Sequence, residues 1–170
     1  GASVTGMLKR LANMNLVDYN SYKGVKLTES GEKIALEIIR HHRLLELYLK
    51  EIMGFSLEKV HDEACRLEHY ISDEFSDKIN EMLGNPEFDP HGHPIPTKEG
   101  QMPIEDLLSL TEINAGTKVE IKRLVDTDKK LLAYLEEMQL VPSTELKIVE
   151  KAPFNGPLTI AYNGKKEIID

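Results

Sequence analysis

Four side chains that can bind a metal ion lie at helical spacing between residues 61 and 69. His61, Cys65, Glu68 and His69 occupy positions i, i+4, i+7 and i+8. On one α-helix they would project within a sector of about 100°. Imidazole nitrogen, thiolate sulfur and carboxylate oxygen together favour Fe(II), Co(II), Ni(II) or Zn(II) over Mg(II) or Ca(II). The pattern therefore predicts a transition-metal site on this helix.

A second pair of donors precedes this helix. His42 and Glu46 are one helical turn apart, and with the first four they make more ligands than one tetrahedral site needs. Two sites are therefore predicted: His42, Glu46 and His61 in one, and Cys65, Glu68, His69 and a further ligand in the other. The alternative for each residue alone is a surface histidine, a small buried cysteine or a solvated glutamate. The remaining histidines are predicted to be surface residues: His41, His91 and His93.

Three helices must position these donors. Thr28 is a suitable N-cap for a long helix that runs to Gly54, Ser56 begins a helix through Tyr70, and Ser72 begins another that ends at Gly84. The long helix carries an apolar stripe that should face a core or a partner. The stripe consists of Ile34, Ile38, Leu45, Leu49 and Ile52. Together the three helices predict a small bundle.

The start of the chain has a different pattern. Residues 3–14 have apolar residues at helical spacing with Ser3 as N-cap. Two short apolar segments around residues 20–24 then predict a hairpin. A helix followed by a small hairpin is similar to the end of a winged helix-turn-helix.

Charge distribution supports contact with a polyanion at this end only. Residues 1–26 carry a net charge of +3, whereas residues 27–84 carry −6 and residues 85–170 carry −5. A net charge of −8 overall argues against a surface that binds nucleic acid everywhere.

Four residues of the first helix are candidates for DNA contact. Ser3 and Thr5 are predicted to meet bases or backbone, and Lys9 and Arg10 to meet phosphates.

The hydrophobic pattern of the sequence changes in the second half of the chain. Residues 85–103 contain five prolines and predict an extended linker. Beyond it, Asn163-Gly164 is a strong hairpin signal. The expected elements are a strand over 118–124, a helix over 128–138 and strands over 145–149, 158–162 and 166–169. Short strands with tight turns over about 60 residues predict a small SH3-like barrel.

Composition limits the class of protein. The chain has 170 residues, of which 41% are hydrophobic and 29% charged, typical of a globular protein rather than a disordered or collagen-like one. A single cysteine excludes an internal disulfide, and no apolar run is long enough to span a membrane. The protein is predicted to be cytoplasmic.

Several segments together resemble one known family. Residues 60–69, VHDEACRLEH, with RHHRL at 40–44, Glu46 and SDE at 72–74, are similar to the metal-binding core of the diphtheria toxin repressor family of iron-dependent regulators. Segments elsewhere follow the family's order: VTGML at 4–8, LTESG at 27–31 and HPIP at 93–96. The resemblance covers nearly the whole chain.

The resemblance implies a multi-domain α+β fold. Residues 1–27 would be the end of a winged helix-turn-helix that is incomplete at its N-terminus, and residues 28–84 a helical metal-binding and dimerisation domain. Residues 85–103 would be a Pro-rich linker and residues 104–170 an SH3-like, FeoA-like domain. The family completes its primary site with a side chain from its first helix, so that ligand and the supporting helices are expected to precede Gly1.

The resemblance also implies a function, that of a metal-activated repressor rather than an enzyme. It assigns His42, Glu46 and His61 to an ancillary site and Cys65, Glu68 and His69 to the primary activating site. The effector would be Fe(II) or Mn(II), with Zn(II), Co(II) or Ni(II) binding in vitro. Cys65 favours iron, because manganese-responsive relatives tend to place a carboxylate there. A homodimer would bind palindromic operator DNA, and Asp126 or Asp128 would supply an ancillary ligand from the SH3-like domain.

Three other classes remain open from the residues alone. One is a hydrolytic metalloenzyme with Glu68 as base. Another is a winged-helix regulator that needs no metal and binds a small molecule. The last is a metal buffer or interaction module built on the C-terminal domain.

Overall fold

The computed structural model describes residues 3–154 and 156–169, so predictions for the other four residues lie outside it. Helix α1 (Val4–Asn13) begins where the Ser3 hydroxyl accepts the Gly6 N–H at 3.1 Å. Strands β1 (Val17–Asn20) and β2 (Gly24–Leu27) form an antiparallel hairpin. The predicted helix and hairpin are both confirmed.

Helices α2 (Glu29–Glu51), α3 (Leu57–Leu67) and α4 (Asp73–Met82) form the bundle. The Thr28 hydroxyl accepts the backbone N–H three residues on at 3.0 Å, and the Ser72 hydroxyl does the same at 3.2 Å. These bonds satisfy donors that a helix leaves free at its start, so the sequence marks both boundaries locally.

Helix α3 is shorter than predicted. It ends at Leu67 with Glu68 as C-cap, and His69 lies in the turn that follows. The expected end at Tyr70 is wrong because the chain must reverse before the Ser72 cap of α4. Consequently, His69 owes its position to the turn rather than to helical spacing.

The core of the bundle uses only part of the predicted stripe. Ile34 and Ile52 are 43% and 53% exposed, because α2 contributes mainly its segment 44–49 to the interior. The buried cluster consists of Leu44, Leu45, Leu49, Val60, Ala64, Ile79 and Ile95.

The Pro-rich segment 85–103 is folded against the helices instead of extending through solvent. Ile95 belongs to the bundle core, and the Asp89 carboxylate accepts the N–H groups of His91 and His93 at 2.8 and 2.9 Å. The prediction of surface histidines is wrong for His91, which is fully buried, and for His41, which is 8% exposed. His93 is half-buried.

The C-terminal part is built on an open antiparallel sheet in the order β3-β4-β5-β6. In the described residues β3 and β6 each pair with a single strand, so the predicted closed barrel is wrong; four strands are too few to close one. The predicted Asn163-Gly164 turn is confirmed, with φ of 48° and 74°. The elements are a 3₁₀ turn at Leu110–Glu112, β3 (Lys118–Glu120), α5 (Lys129–Glu137), β4 (Glu145–Lys151), β5 (Leu158–Tyr162) and β6 (Lys165–Ile169).

Helix α5 contacts the start of α3. Leu57 packs with Leu124 and Leu132 in one buried cluster. The Glu136 carboxylate accepts the Leu57 N–H at 2.8 Å and pairs with Lys50. A side chain of the C-terminal domain therefore caps the helix that carries predicted metal ligands.

Replacing Glu136 by Ala should lower the free energy of unfolding by about 1–2 kcal/mol, because it leaves an N-terminal donor of α3 and a partly buried Lys50 without their acceptor. Urea denaturation measures this change. The matched control, Glu137→Ala, removes an exposed neighbour and should stay within about 0.5 kcal/mol of the parent. Equal effects of the two substitutions would contradict the capping role.

The described helices differ in length or hydropathy from a membrane span. Not one helix among them combines the length and the apolar character needed to cross a bilayer.

Candidate metal centre

Three predicted ligands from α2 and α3 converge on one point. His42 Nε2 lies 2.9 Å from Glu46 Oε1 and 3.1 Å from His61 Nδ1, and His61 Nδ1 lies 3.1 Å from the same Glu46 oxygen. Ligands held about 2.1 Å from an octahedral ion lie about 3.0 Å apart. The three atoms therefore already form the triangular face that a divalent ion would occupy.

Glu68 joins this triangle to His69. Its Oε2 lies 2.6 Å from His42 Nδ1, and its Oε1 lies 3.2 Å from His69 Nε2. A carboxylate on the second nitrogen of a ligating histidine fixes the tautomer that leaves Nε2 free to bind metal. In this arrangement Glu68 orients His42 as well as offering oxygen of its own.

Cys65 lies next to His61, on the opposite side of the imidazole ring from the triangle. Its Sγ lies 3.6 Å from His61 Nε2, and the donor atoms of His42, His61 and Cys65 all lie within 4.8 Å of one another. Burial, together with the carboxylates of Glu68 and Glu46, raises the pKa of the Cys65 thiol. The thiol therefore stays protonated until a cation offsets the surrounding negative charge.

Contacts link all six predicted ligands into one network. The path runs from His69 through Glu68 to His42, then to Glu46 and His61, and from His61 to Cys65. Its division into an ancillary and a primary site remains a prediction.

The network is centred on a buried anion. Glu46 is 2% exposed; burial alone would raise its pKa, but the imidazoles of His42 and His91 outweigh this and lower it. For His42, burial opposes protonation, whereas Glu46 and Glu68 raise the pKa above its ordinary value. A buried carboxylate that stays ionised beside two histidines suits a cation site.

A further cluster was missed at the sequence level. The donor atoms of Asp89, His91 and His93 lie within 4.8 Å of one another. His91 Nδ1 is buried and has no hydrogen-bond partner among residues 3–154 and 156–169. It lies 3.6 Å from Glu46 Oε2, so Glu46 faces both clusters, one with each oxygen. An unsatisfied buried nitrogen beside a carboxylate fits a site for a cation.

The C-terminal domain reaches this second cluster. Asp126 Oδ2 lies 3.9 Å from His93 Nδ1. The alternative candidate, Asp128, instead caps α5 by accepting the N–H groups of Lys130 and Leu131. Of the two predicted ligands from this domain, Asp126 therefore lies beside a histidine, whereas Asp128 is engaged in the cap of α5.

A signal for the missed cluster exists in the sequence. Asp89, His91 and His93 fall within five residues, and the Pro90 and Gly92 between them favour a tight turn. The structure has such a turn, in which the Gly92 N–H donates to the Asp89 carbonyl at 3.0 Å.

The predicted DNA-contacting residues lie on α1 and before it. Ser3, Thr5, Lys9 and Arg10 are all exposed. The Ser3 hydroxyl is engaged in the α1 cap, which leaves Thr5, Lys9 and Arg10 as the freer groups.

Comparison with known proteins connects both halves of the chain to characterised domains. Residues 28–97 match the iron dependent repressor, metal binding and dimerisation domain, and residues 108–170 match the FeoA domain. The two domains cover most of the chain.

Curated relatives match over nearly the whole length. Iron-dependent repressor IdeR of Mycobacterium tuberculosis is 32% identical over 99% of this chain and 77% of its own length. Diphtheria toxin repressor of Corynebacterium diphtheriae is 30% identical over 100% of this chain and 79% of its own.

Solved structures agree in fold. A manganese-dependent transcriptional repressor in complex with manganese superposes with a TM-score of 0.85 at 33% identity, covering 97% of this chain and 77% of that one. ScaR with bound Cd²⁺ gives a TM-score of 0.74 at 30% identity, covering 98% and 78%. On these matches, the chain belongs to the diphtheria toxin repressor family of iron-dependent repressors.

Proposed function

We propose that the protein is a transcriptional repressor that binds operator DNA when a divalent metal ion occupies the centre between α2 and α3. The observation that carries the proposal is the triangle of His42, Glu46 and His61, whose ligand atoms lie 2.9–3.1 Å apart. Two imidazole nitrogens and a carboxylate oxygen at that spacing match one triangular face of the coordination shell of a bound ion.

The proposed effector is Fe(II) or Mn(II). Both iron-dependent and manganese-dependent repressors occur among the relatives. The thiol of Cys65 favours iron, because soft sulfur ligands suit it better than manganese. Zn(II), Co(II) and Ni(II) should bind the same donors in vitro.

The positions of the ligands suggest how metal binding would affect the DNA-binding end of the protein. His42 and Glu46 lie on α2, whereas His61 and Cys65 lie on α3, so shared ligation would fix the angle between these helices. A bound ion supplies the positive charge that holds these donors together.

The start of α2 is joined to the hairpin and α1. The Thr28 hydroxyl donates to the Asn15 carbonyl at 2.7 Å, and the Thr28 N–H donates to the Leu16 carbonyl at 3.1 Å. A change in the direction of α2 therefore moves α1 with it.

We propose the same domain plan that the sequence predicts. Residues 1–27 supply the end of a winged helix-turn-helix, residues 28–84 the metal-binding and dimerisation domain, and residues 104–170 the FeoA-like domain. Residues 85–103 connect them and carry the second donor cluster.

Dimerisation would use exposed apolar side chains of the bundle. A palindromic operator requires two DNA-binding domains related by a two-fold axis. Such residues occur at the end of α2 and on α4: Ile52, Met53, Phe75 and Met82. A repressor that binds chromosomal operators must share the compartment of the chromosome, so the proposed location is the cytoplasm. Repression requires no chemical reaction, so no catalytic residue is assigned.

Operator binding measured with and without metal tests the function. A duplex selected by the full-length protein from a random library in the presence of Mn(II) would serve as the probe in fluorescence anisotropy. Metal should tighten binding about 5- to 150-fold, the range of ordinary allosteric coupling, and a chelator should reverse it. Equal affinity with and without Fe(II) or Mn(II) would overturn the proposal.

Phosphate contacts by α1 predict a specific salt dependence. Lys9→Ala and Arg10→Ala should each weaken binding to all duplexes and lower the slope of log affinity against log salt by about 1. Lys166→Ala, an exposed lysine of β6, is the control with the same loss of charge. If the slope of log affinity against log salt is unchanged in both α1 variants, α1 does not contact the DNA phosphates.

A further inference from the structure

A third group of metal-binding side chains lies where α4 meets α2. Glu37 and His41 are one turn apart on α2, and Asp73 is the first residue of α4. One ligand atom from each lies within 4.8 Å of the others. None of the three belongs to the centre described above, and we propose that they form a separate site for a divalent transition ion of the Zn(II) type.

The measured geometry suits such an ion. His41 Nε2 lies 3.5 Å from Asp73 Oδ1. Two ligands about 2.0–2.2 Å from a tetrahedral zinc ion lie about 3.3–3.5 Å apart. These two donors are therefore already at the spacing of one coordination edge, and a carboxylate oxygen of the exposed Glu37 lies within 4.8 Å of both.

A buried hydroxyl provides an independent indication of a ligand. Ser76 lies one turn after Asp73 on α4 and is 2% exposed, yet its Oγ has no hydrogen-bond partner among the described residues. Ser76, Glu37, His41 and Asp73 line the same cavity of about 250 Å³. Three protein ligands leave the fourth zinc position to water, and that water would satisfy the Ser76 hydroxyl.

The other charged groups of the cavity leave these donors available. Arg40 Nη1 donates to the Pro96 carbonyl at 2.8 Å, and Lys98 Nζ lies 2.5 Å from Asp77 Oδ2. Lys33 is exposed at the edge, one turn before Glu37. Because Asp77 already pairs with Lys98, Glu37 and Asp73 are the carboxylates left to neutralise a cation.

Occupancy of this site would join the start of α4 to the middle of α2. The turn that carries His69 immediately precedes α4. A bound ion would therefore hold the far end of that turn in place, independently of the ligands between α2 and α3.

Equilibrium dialysis against Zn(II) tests the proposal by counting ions per chain. His41→Ala and Asp73→Asn should each bind one ion fewer than the parent protein. Asp77→Asn, which changes a carboxylate of the same cavity outside the donor set, should bind the full number. Circular dichroism checks that the variants fold, and Asp73→Asn, at an exposed position, keeps the test valid if His41→Ala does not fold.

Three results would overturn the inference: unchanged stoichiometry in His41→Ala and Asp73→Asn, loss of the same ion in Asp77→Asn, or no anomalous scattering beside His41 and Asp73 in crystals soaked with Zn(II). Anomalous density at that position, absent in the Asp73→Asn variant, would support it.

Discussion

Replacing Cys65 and His69 together by alanine is expected to abolish the metal dependence of operator binding while leaving the dimer intact. Both side chains are largely exposed and neither belongs to the buried core, so their loss should not unfold the bundle. The ratio of operator affinities with and without metal should fall from about 5- to 150-fold to about 1. Fluorescence anisotropy in a Mn(II) or Fe(II) titration measures the ratio, and sedimentation gives the oligomeric state.

Glu63→Ala is the matched control for this double variant. Glu63 lies on α3, as Cys65 does, but pairs with Arg66 at 2.5 Å instead of joining the donor network. It should retain the full metal response. A double variant that still responds to metal like the parent protein would show that neither side chain is an activating ligand.

Replacing Gly31 by alanine should destabilise the protein far more than the same substitution at Gly6, the other glycine within the described helices. A Cβ at this position would lie 1.9 Å from the Leu16 carbonyl oxygen and 2.9 Å from its carbon. The backbone must move to avoid this clash, which breaks the hydrogen bond from the Thr28 N–H to that oxygen. We expect a loss of about 3 kcal/mol in the free energy of unfolding, together with weaker operator binding because α1 is no longer held against α2.

Gly6→Ala provides the comparison, since it adds the same methyl group inside α1. There the new Cβ meets only the Ser3 hydroxyl, at 3.4 Å. Removing a helical glycine should stabilise the protein by about 0.5–1 kcal/mol. Urea denaturation measures the free energy of unfolding of both variants. Its change should have opposite signs in Gly31→Ala and Gly6→Ala if the contact between Gly31 and Leu16 limits the packing of the DNA-binding end.

The parts of the fold that local chemistry determines could be predicted from the sequence. Ser3, Thr28 and Ser72 satisfy backbone donors three residues away, and Asn163-Gly164 adopts the positive φ angles that a two-residue hairpin needs. The ligand candidates on α2 and α3 could be named because spacing along a helix determines which side chains share a face. His69 was named by the same spacing, but the turn after α3 sets its position. Such interactions span only a few residues.

Features that depend on distant contacts could not be predicted in the same way. His91 is buried because Glu46 and Leu57, which are 45 and 34 positions away, surround it. Proline content indicated an extended segment, but did not show that Ile95 would complete the core of the bundle. Likewise, the turn chemistry predicted hairpins, whereas closure of the sheet depends on strand number and stagger.

The two oxygens of Glu46 have a consequence for how the protein would respond to rising metal concentration. Oε1 serves the triangle with His42 and His61, and Oε2 faces His91. One negative charge is thus divided between two acceptor positions, and the first cation to arrive neutralises part of what would attract the second. The dose–response curve should therefore be graded, with two half-saturation points spread along the concentration axis, instead of a single steep threshold.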